Sequence, residues 1–360
     1  MFYGRVRYDN SHFLFIFARS RKKNHVFMKI RIFYLVLAAC TLASCVSVQT
    51  ITFDQLCPAE VSLPGQVQAV GIVNNMPSIP QAKGNVATMG NLNGDGKQTA
   101  EAFAGALADS RYFNQVIICD SALNGQPVAD DAELRGLSRE EVRRLTDDLR
   151  VDMLFSLERV FVQNVRKELY YPGLPEPWPV VQTRVTPVLS IYSPVRERPL
   201  RVVAPTDSLD WDLDQMPSDK ELLEYVADFS AQLLTRQVVP YWEQTSRAYF
   251  TGGCVEMRDA AVCVNEGDWE GAKALWLSLY EHRKSGKVKG RAALNLALAS
   301  EMLGNLEEAK KWMDEAKKYA EPGSDEDRVW SYAALRLEKR IAQMSHLNIQ
   351  MGRFGNNLPE

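Results

Sequence analysis

A short apolar segment near the amino terminus limits which part of this chain can fold as a globular body. A basic stretch, 28–31, precedes an apolar stretch, 32–42, and small residues then lead into Cys45. Positive charge, a short apolar run and small residues, in this order, are typical of a secretory signal. The apolar run is too short to span a membrane, which takes about 20 apolar residues. We therefore predict that 28–44 is a signal peptide and that the folded body follows it.

The end of this signal, Leu-Ala-Ser-Cys at 42–45, resembles the lipobox of bacterial lipoproteins. The resemblance implies cleavage before Cys45 and lipidation of the Cys45 thiol, which gives two or three acyl chains and a stable anchor. Residues 1–27 precede Met28, a better start, and we expect them to be a disordered extension. Acidic residues after the cysteine resemble a surface-export signal, and this chain has none there. We therefore expect a lipid-anchored cell-envelope protein in the outer membrane, facing the periplasm.

Charge and histidine content exclude several classes of function. The net charge is −3 and no basic stripe suits nucleic acid, so we expect no nucleic-acid partner. Beyond the signal, the histidines are His282 and His346, both near the carboxyl end. The first domain can therefore hold neither a Ser-His-Asp triad nor a histidine-rich metal site, and we expect no catalytic residue, metal or cofactor. The sequence leaves open the pairing of the remaining cysteines, Cys57, Cys119, Cys254 and Cys263.

The segment 45–250 predicts an α/β domain, a mixed sheet with helices. Two capping boxes, Ser138 with Glu141 and Ser218 with Glu221, predict the starts of helices because each pair can satisfy backbone donors reciprocally. Apolar or alternating stretches predict strands at 66–73, 116–119, 153–162, 185–192 and 200–204.

This order of elements resembles the α/β fold of several envelope proteins. They are the soluble part of the curli-secretion lipoprotein, the amino-terminal domain of the Tol-system propeller protein, and the lipoprotein activators of peptidoglycan synthases. The matching pieces are 67–74, 113–120 and 149–155, within a resemblance that covers about 64–240. The Pro- and aromatic-rich stretch 170–179 has no counterpart in those proteins.

That stretch contains the residues we select as a candidate partner-binding site, Tyr170, Tyr171 and Trp178. Its prolines restrict the backbone, and bare aromatic side chains are costly unless they contact something. The stretch either folds back on its own sheet or contacts a partner.

Two further motifs do not meet the requirements of the sites they suggest. The stretch 94–97, Gly-Asp-Gly-Lys, lacks the first glycine and the Ser/Thr of a phosphate loop. A calcium loop that began at Asn91 would need its twelfth, acidic ligand at Ala102. We expect a glycine-rich helix entry instead. Asp152 and Glu158 lie about 20 Å apart on a strand, too far for a glycosidase pair, and we expect exposed or hydrogen-bonded strand residues.

The carboxy-terminal part repeats with a period of 37 residues. Ala260, Gly267 and Ala272 recur as Ala297, Gly304 and Ala309. The pattern resembles the tetratricopeptide repeat, a helix-turn-helix unit of about 34 residues. It predicts an all-α tetratricopeptide-like repeat over 251–345, capped by a third helix at 329–344, and a flexible tail at 346–360.

As a whole, the chain resembles a family of lipoproteins common in Bacteroidetes, in which such an α/β domain precedes tetratricopeptide-like helices. That family has no assigned activity, so the resemblance implies architecture and location only. We predict a non-catalytic adaptor or scaffold that binds a protein or peptide partner. The alternative is a glycan- or small-molecule-binding protein, or an enzyme that uses carboxylates of the α/β domain. A concave, uncapped groove on the repeats would favour the first, and a deep acid-lined cleft the second.

Overall fold

The computed structural model describes residues 47–77, 87–119, 136–173 and 175–354. They divide into two compact units. The sheet unit contains residues 54–244 and 340–354, and the helical unit contains 47–53 and 245–339. The predicted extension, the signal peptide and Cys45 lie outside the described residues.

The strands within the described residues form two sheets. They are β1 (Val48–Cys57), β2 (Ala69–Asn74), β3 (Gly90–Asn93), β4 (Gln115–Cys119), β5 (Met153–Leu169), β6 (Trp178–Tyr192), β7 (Arg201–Val203), β8 (Asp207–Asp212) and β9 (Tyr241–Phe250). β1 pairs with β9. The larger sheet has the order β4-β2-β5-β6-β7, with β3 paired to β5 and β8 to β6. Because β2 is parallel to β4 and β5 while β6 is antiparallel to β5, the predicted mixed sheet is confirmed.

Three helices cover the larger sheet: α1 (Gly96–Asp109), α2 (Arg139–Leu149) and α3 (Asp219–Val238). Phe103 of α1 and Leu222 of α3 pack with Phe155 in one apolar cluster, while Val142 of α2 packs with Leu154 in another. Phe155 and Leu154 are neighbours on β5, and successive strand residues point to opposite faces. The sheet therefore lies between α1 and α3 on one face and α2 on the other.

Local sequence chemistry fixes where these helices start. The Glu141 carboxylate accepts from the Ser138 backbone N–H at 2.8 Å, and the Ser138 hydroxyl accepts from the Glu141 N–H at 3.3 Å, so the capping box of α2 is confirmed. At the start of α3, the Glu221 carboxylate accepts from the Ser218 N–H at 3.0 Å. Pro240 follows the end of α3, as a residue that cannot continue a helix should.

The glycine-rich stretch before α1 is a helix entry, as predicted. Asp95 caps α1, since its carboxylate accepts from the Gln98 backbone N–H at 2.9 Å. A Cβ on Gly94 would lie 2.5 Å from a methyl group of Val160, so the close approach to β5 requires glycine at this position.

The helical unit contains α4 (Val255–Asn265), α5 (Trp269–His282), α6 (Lys287–Met302), α7 (Leu306–Lys317) and most of α8 (Asp325–Met351). The 37-residue spacing is visible in its geometry. Gly267 and Gly304 both adopt positive φ, 77° and 80°, and both precede a side-chain-capped helix. Ala272 and Ala309 are both fully buried. An all-α carboxy-terminal region is thereby confirmed.

Two predicted boundaries are wrong. The third helix was placed at 329–344, but α8 runs from Asp325 to Met351 and a 3₁₀ turn continues to Phe354. The first part of the predicted flexible tail, 346–354, is therefore helical. The end of this helix depends on contacts with residues far away in the sequence, which a local pattern does not show: the Gln350 side chain bonds both backbone groups of Ala59, at 2.9 Å each.

The division into two compact units falls within β9, so 245–250 belong to the helical unit. β1, β9 and α8 each contribute residues to both units. Among the described helices, none combines the length and apolar character needed to cross a membrane.

Candidate functional site

The hairpin formed by β5 and β6 carries the three aromatic residues predicted to bind a partner. Its strands are 17 and 15 residues long and pair up to Leu169 and Trp178, so the connecting turn lies at the far end. There Tyr170 is 79% exposed, Tyr171 51% and Trp178 47%. These exposures exclude a core position, and of the two alternatives for this stretch they favour an outward-facing surface. We call Tyr170, Tyr171 and Trp178 the aromatic tip.

The Trp178 ring is held in place although it is exposed. Its indole N–H donates to a carboxylate oxygen of Asp212 on β8 at 2.8 Å. The turn beside it contains Pro175 and Pro177, whose rings fix φ. An aromatic side chain that is already ordered loses little conformational entropy when a partner binds.

The face of the hairpin that leads to the aromatic tip mixes polar ladders with apolar side chains. Residues directly opposite in an antiparallel pair share a face, and here the Lys167 ammonium donates to Gln182, whose amide donates to Asp210 at 3.0 Å. Phe161 and Val165 lie on the same face and remain 45% and 41% exposed. This face is open to solvent and chemically suited to contact another molecule.

The burial pattern of β5 shows where this open face begins. Every residue from Met153 to Val160 is buried, burial alternates from Phe161 to Val165, and the residues up to Glu168 are exposed. The pairing register between β5 and β6 shifts between Leu157 and Arg159, which leaves Glu158 as the extra residue of a β-bulge. The bulge thus marks the change from a sheet covered on both faces to a sheet covered on one.

A polar cleft of about 370 Å³ lies on the open face beside the bulge. Its lining is rich in amide, guanidinium and hydroxyl groups: Asn91, Asn93, Arg159, Gln163, Arg184 and Thr186, with Phe161. The Arg159 guanidinium stacks 5.3 Å from the Phe161 ring centroid and donates to the Asn93 side-chain oxygen at 3.3 Å. The cleft therefore presents donors and an aromatic ring rather than carboxylates.

Glu158 is a buried carboxyl group on the covered side of the bulge. It is 3% exposed, and one carboxyl oxygen accepts from the Asn75 side chain at 2.6 Å. The nearby Ser156 and Ser190 hydroxyls also interact with this carboxyl group and favour its charged form. Burial raises the pKa of Glu158, and the hydrogen bonds from Asn75, Ser156 and Ser190 offset only part of that rise.

The phenol of Tyr192 lies close enough to Glu158 for the carboxylate charge to affect the pKa of the phenol. Burial, and then the Glu158 carboxylate, raise the pKa of Tyr192. The Tyr192 hydroxyl accepts from the Leu137 backbone N–H at 3.0 Å. No salt bridge within the described residues neutralises Glu158. The bulge therefore holds an acid that is most easily buried in its protonated form.

The helical unit offers no open groove along α6. Residues 292–300 of α6 are all buried. Its own strand β9 lies against it, because the Asn295 side chain accepts from the Phe250 N–H at 2.9 Å and donates to the Phe250 carbonyl at 2.7 Å. Arg247 of β9 forms a buried bidentate pair with Glu301, at 2.7 and 3.2 Å. The chain thus covers this helix with its own strand.

The remaining candidate residues have structural roles. Asp152 lies just before β5, and its carboxylate is hydrogen-bonded, because it accepts from the backbone N–H groups of Gln68 and Ala69 at 2.8 and 2.9 Å. Cys254 lies before the first residue of α4, and both Cys254 and Cys263 are free thiols.

Glu158 is the residue that sequence reasoning undervalued. A lone acid within the apolar stretch 153–162 signals a buried carboxyl group, but alternation along a regular strand cannot reveal a bulge. Without the bulge, the spacing from Asp152 suggested an ordinary strand face.

Comparison with known proteins gives two family matches and weak structural similarities. A model described as a domain of unknown function, DUF8603, matches residues 67–250, and a second, DUF6340, also a domain of unknown function, matches 258–339. No curated protein matches the chain.

Three solved structures overlap with about half of the chain. A PelC dodecamer from Paraburkholderia phytofirmans is 10% identical, with 53% of this chain and 99% of that chain covered and a TM-score of 0.24. A minor lipoprotein from Acinetobacter baumannii is 12% identical, with 49% of this chain and 92% of that chain covered and a TM-score of 0.25. A putative neuraminyllactose-binding hemagglutinin homolog from Helicobacter pylori is 10% identical, with 48% of this chain and 82% of that chain covered and a TM-score of 0.27. Overlaps this weak say nothing about function.

Proposed function

The chain belongs to the DUF8603 family, and from that premise we propose that it is a lipid-anchored, non-catalytic adaptor of the bacterial cell envelope that binds a protein or peptide through its aromatic tip. The observation that carries this proposal is the exposure of Tyr170, Tyr171 and Trp178 at the end of a long hairpin. Aromatic side chains that are exposed yet ordered are the usual anchors of protein interfaces.

In this proposal the helical unit is a folded extension of the protein and does not provide the groove that binds the partner. We propose that α4–α7 are two tetratricopeptide-like repeats, which the matching turns at Gly267 and Gly304 and the matching buried alanines, Ala272 and Ala309, support. Since β9 covers α6 through Asn295, a partner peptide would have to displace the chain's own strand. The predicted concave groove is therefore a poorer candidate than the hairpin.

Capture of neighbours from the membrane tests the adaptor proposal. The full-length protein and its Trp178→Ala variant are crosslinked in cells, and the captured proteins are quantified by mass spectrometry. Trp242→Ala is the matched control, because Trp242 is 67% exposed and lies on β9, which pairs with β1 and is not part of the sheet that contains the hairpin. We expect a defined neighbour to be lost with Trp178→Ala and kept with Trp242→Ala. Identical neighbours for all three proteins would remove the aromatic tip as the binding site.

The anchor at Cys45 has its own test. Only a thiol at the cleavage junction accepts the lipid, so Cys45→Ser should leave the protein uncleaved or soluble when membranes are separated. A Cys45→Ser protein that fractionates and migrates like the unchanged one would overturn the lipoprotein proposal. Cleavage by protease added to intact cells would count against a periplasm-facing position.

A second candidate function is binding of an anionic saccharide or small molecule in the cleft beside the bulge. The observation that favours it is a cleft of about 370 Å³ lined by the exposed Arg184, the Phe161 ring and Arg159, which is 3% exposed and hydrogen-bonded to Asn93. Guanidinium groups suit carboxylate recognition. Arg184→Ala should abolish the thermal stabilisation given by an acidic oligosaccharide, and Arg166→Ala, an exposed arginine on the opposite face of β5, should not. Equal stabilisation of both variants would contradict this function.

A further inference from the structure

The segment between the proposed anchor and the first ordered contact is very short. Ser47 is fixed to Thr251, whose backbone N–H donates to the Ser47 carbonyl at 2.9 Å and whose hydroxyl lies 2.8 Å from the Ser47 hydroxyl. Only Val46 lies between Cys45 and Ser47, so Ser47 is two residues along the chain from Cys45. Since an extended residue spans at most about 3.6 Å, two residues reach only about 7 Å. If Cys45 carries lipid, Ser47 must lie close to the membrane surface.

A basic loop of the helical unit lies next to this point. A Cβ on Gly252 would lie 2.7 Å from the Ser47 Cβ, and a Cβ on Gly253 would lie 3.6 Å from a methyl group of Val288. Val288 is the second residue of α6, next to the connection between α5 and α6. The contacts therefore run from Ser47 through the two glycines to the start of α6.

The connection 283–286 and the first residue of α6, Lys287, together have the sequence Arg-Lys-Ser-Gly-Lys, all five residues are exposed, and we call 283–287 the loop. Lys289 fixes the loop, because its ammonium donates to the Arg283 carbonyl at 2.9 Å. Lys287 lies 3.7 Å from Glu326, whose other oxygen is engaged by Arg291 at 2.6 Å.

The acidic groups near the loop do not cancel its charge. Glu256 lies close enough to Arg283 for the guanidinium to contribute to lowering its carboxyl pKa, although hydrogen bonds lower that pKa more. Glu281 is exposed beside the loop. Together with Glu326 these carboxylates face five basic side chains, Arg283, Lys284, Lys287, Lys289 and Arg291, so the surface keeps a net positive charge.

We propose that the loop 283–287 contacts the anionic lipid headgroups of the membrane that holds Cys45. The inference rests on the proposed lipid anchor and adds an orientation to it. Headgroup charge acts over about one Debye length, roughly 8 Å at physiological ionic strength, which is comparable to the reach of the chain from Cys45. A basic patch beside a lipid chain is a recognised second signal for stable attachment.

Lysine acylation of the reconstituted protein tests this contact. The lipidated full-length protein is inserted into vesicles that contain phosphatidylglycerol or into vesicles of phosphatidylcholine alone. Vesicles are floated, a membrane-impermeant amine reagent is added, and acylation of each lysine is followed by mass spectrometry. Lys310 and Lys311 on α7, both exposed and outside the loop, are the internal control.

We expect Lys284 and Lys287 to react about fivefold more slowly on the anionic vesicles, the factor that corresponds to about 1 kcal/mol per basic residue near such a surface. Lys310 and Lys311 should react equally on both vesicles. The Arg283→Glu variant should lose most of the protection of Lys284 and Lys287, and Lys311→Glu should lose none.

The outcomes separate the contact from the anchor. Flotation with equal lysine reactivity on both vesicles would overturn the proposed contact and leave the anchor intact. Failure to float on either vesicle would overturn the anchor, and the proposed contact with it.

Discussion

Trp178 in the hairpin and Trp276 in the helical unit are the same side chain in opposite circumstances. Trp178 is 47% exposed and its indole N–H has a carboxylate acceptor, Asp212. Trp276 is completely buried, its ring lies 6.3 Å from the Tyr249 ring, and its N–H has no hydrogen-bond partner in the described residues. In the helical unit an aromatic ring is used for packing at the expense of a polar group. In the hairpin the polar group is satisfied and the ring remains available.

The largest expected effect follows from the buried member of this pair. Trp276→Ala should destabilise the helical unit by about 3–5 kcal/mol, because it removes apolar contacts and leaves a cavity between α5, α6 and β9. Thermal unfolding followed by circular dichroism measures the change, with Trp178→Ala as the matched control. Equal melting temperatures for the two variants would show that the buried and the exposed tryptophan contribute equally to the free energy of unfolding, contrary to this prediction.

A substitution at Ala309 tests the packing of the helical unit by adding volume, whereas Trp276→Ala removes it. The side chain is fully buried where α7 packs, so Ala309→Trp should cost about 1–3 kcal/mol through overpacking. Lys310→Trp is the control, since it introduces the same ring at an exposed neighbour. Unfolding in urea should shift to lower concentration for Ala309→Trp alone. An unchanged midpoint would place Ala309 outside the helix interface and invalidate the repeat register.

The sequence predicts the helical unit better than the hairpin, and the reason is physical. Helix caps, glycine turns and the spacing of Ala272 and Ala309 are local signals that survive without tertiary context. The length of β5 and β6 depends on a cross-strand register, and the bulge at Glu158 adds one residue that alternation cannot show. β9 covers α6 through the hydrogen bond from Asn295 to Phe250, two residues that are far apart in the sequence, so no local pattern predicts this contact.

Glu158 links the covered and the open parts of the sheet, and its titration can be measured. Its pKa is raised above the ordinary value of 4.5, so the native state keeps the proton at a pH where the unfolded chain has lost it. Stability contributed by this group is therefore complete at low pH and is lost as pH rises from about 4.5 through the native pKa. Replacement by a neutral amide removes this loss.

Glu158→Gln should thus stabilise the protein at neutral pH, because the amide does not have to lose a proton in a buried site. The gain should disappear near pH 4. Glu168→Gln, an exposed residue of the same strand, is the control and should change stability little at any pH. Loss of stability in Glu158→Gln at all pH values would mean that the native state requires the ionised carboxylate, which is the opposite of the charge state inferred from its burial.

The smallest expected change in stability belongs to the exposed member of the tryptophan pair, and it is the one that bears on function. Trp178→Ala removes a ring that is half in solvent and one hydrogen bond to Asp212, so the cost should be about 1 kcal/mol, well below that of Trp276→Ala. The same variant should weaken capture of the partner, because an ordered aromatic ring at an interface contributes far more to binding than to folding.

Trp178→Phe separates the two roles of the side chain. This variant keeps an aromatic ring and loses the indole N–H that donates to Asp212. Partial capture would show that the ring itself contacts the partner. Capture as poor as that of Trp178→Ala would show that binding requires the ring orientation fixed by the hydrogen bond to Asp212. A large loss of stability in Trp178→Ala would instead make the hairpin tip part of the packed structure, like Trp276, and the contrast between the two regions would fail.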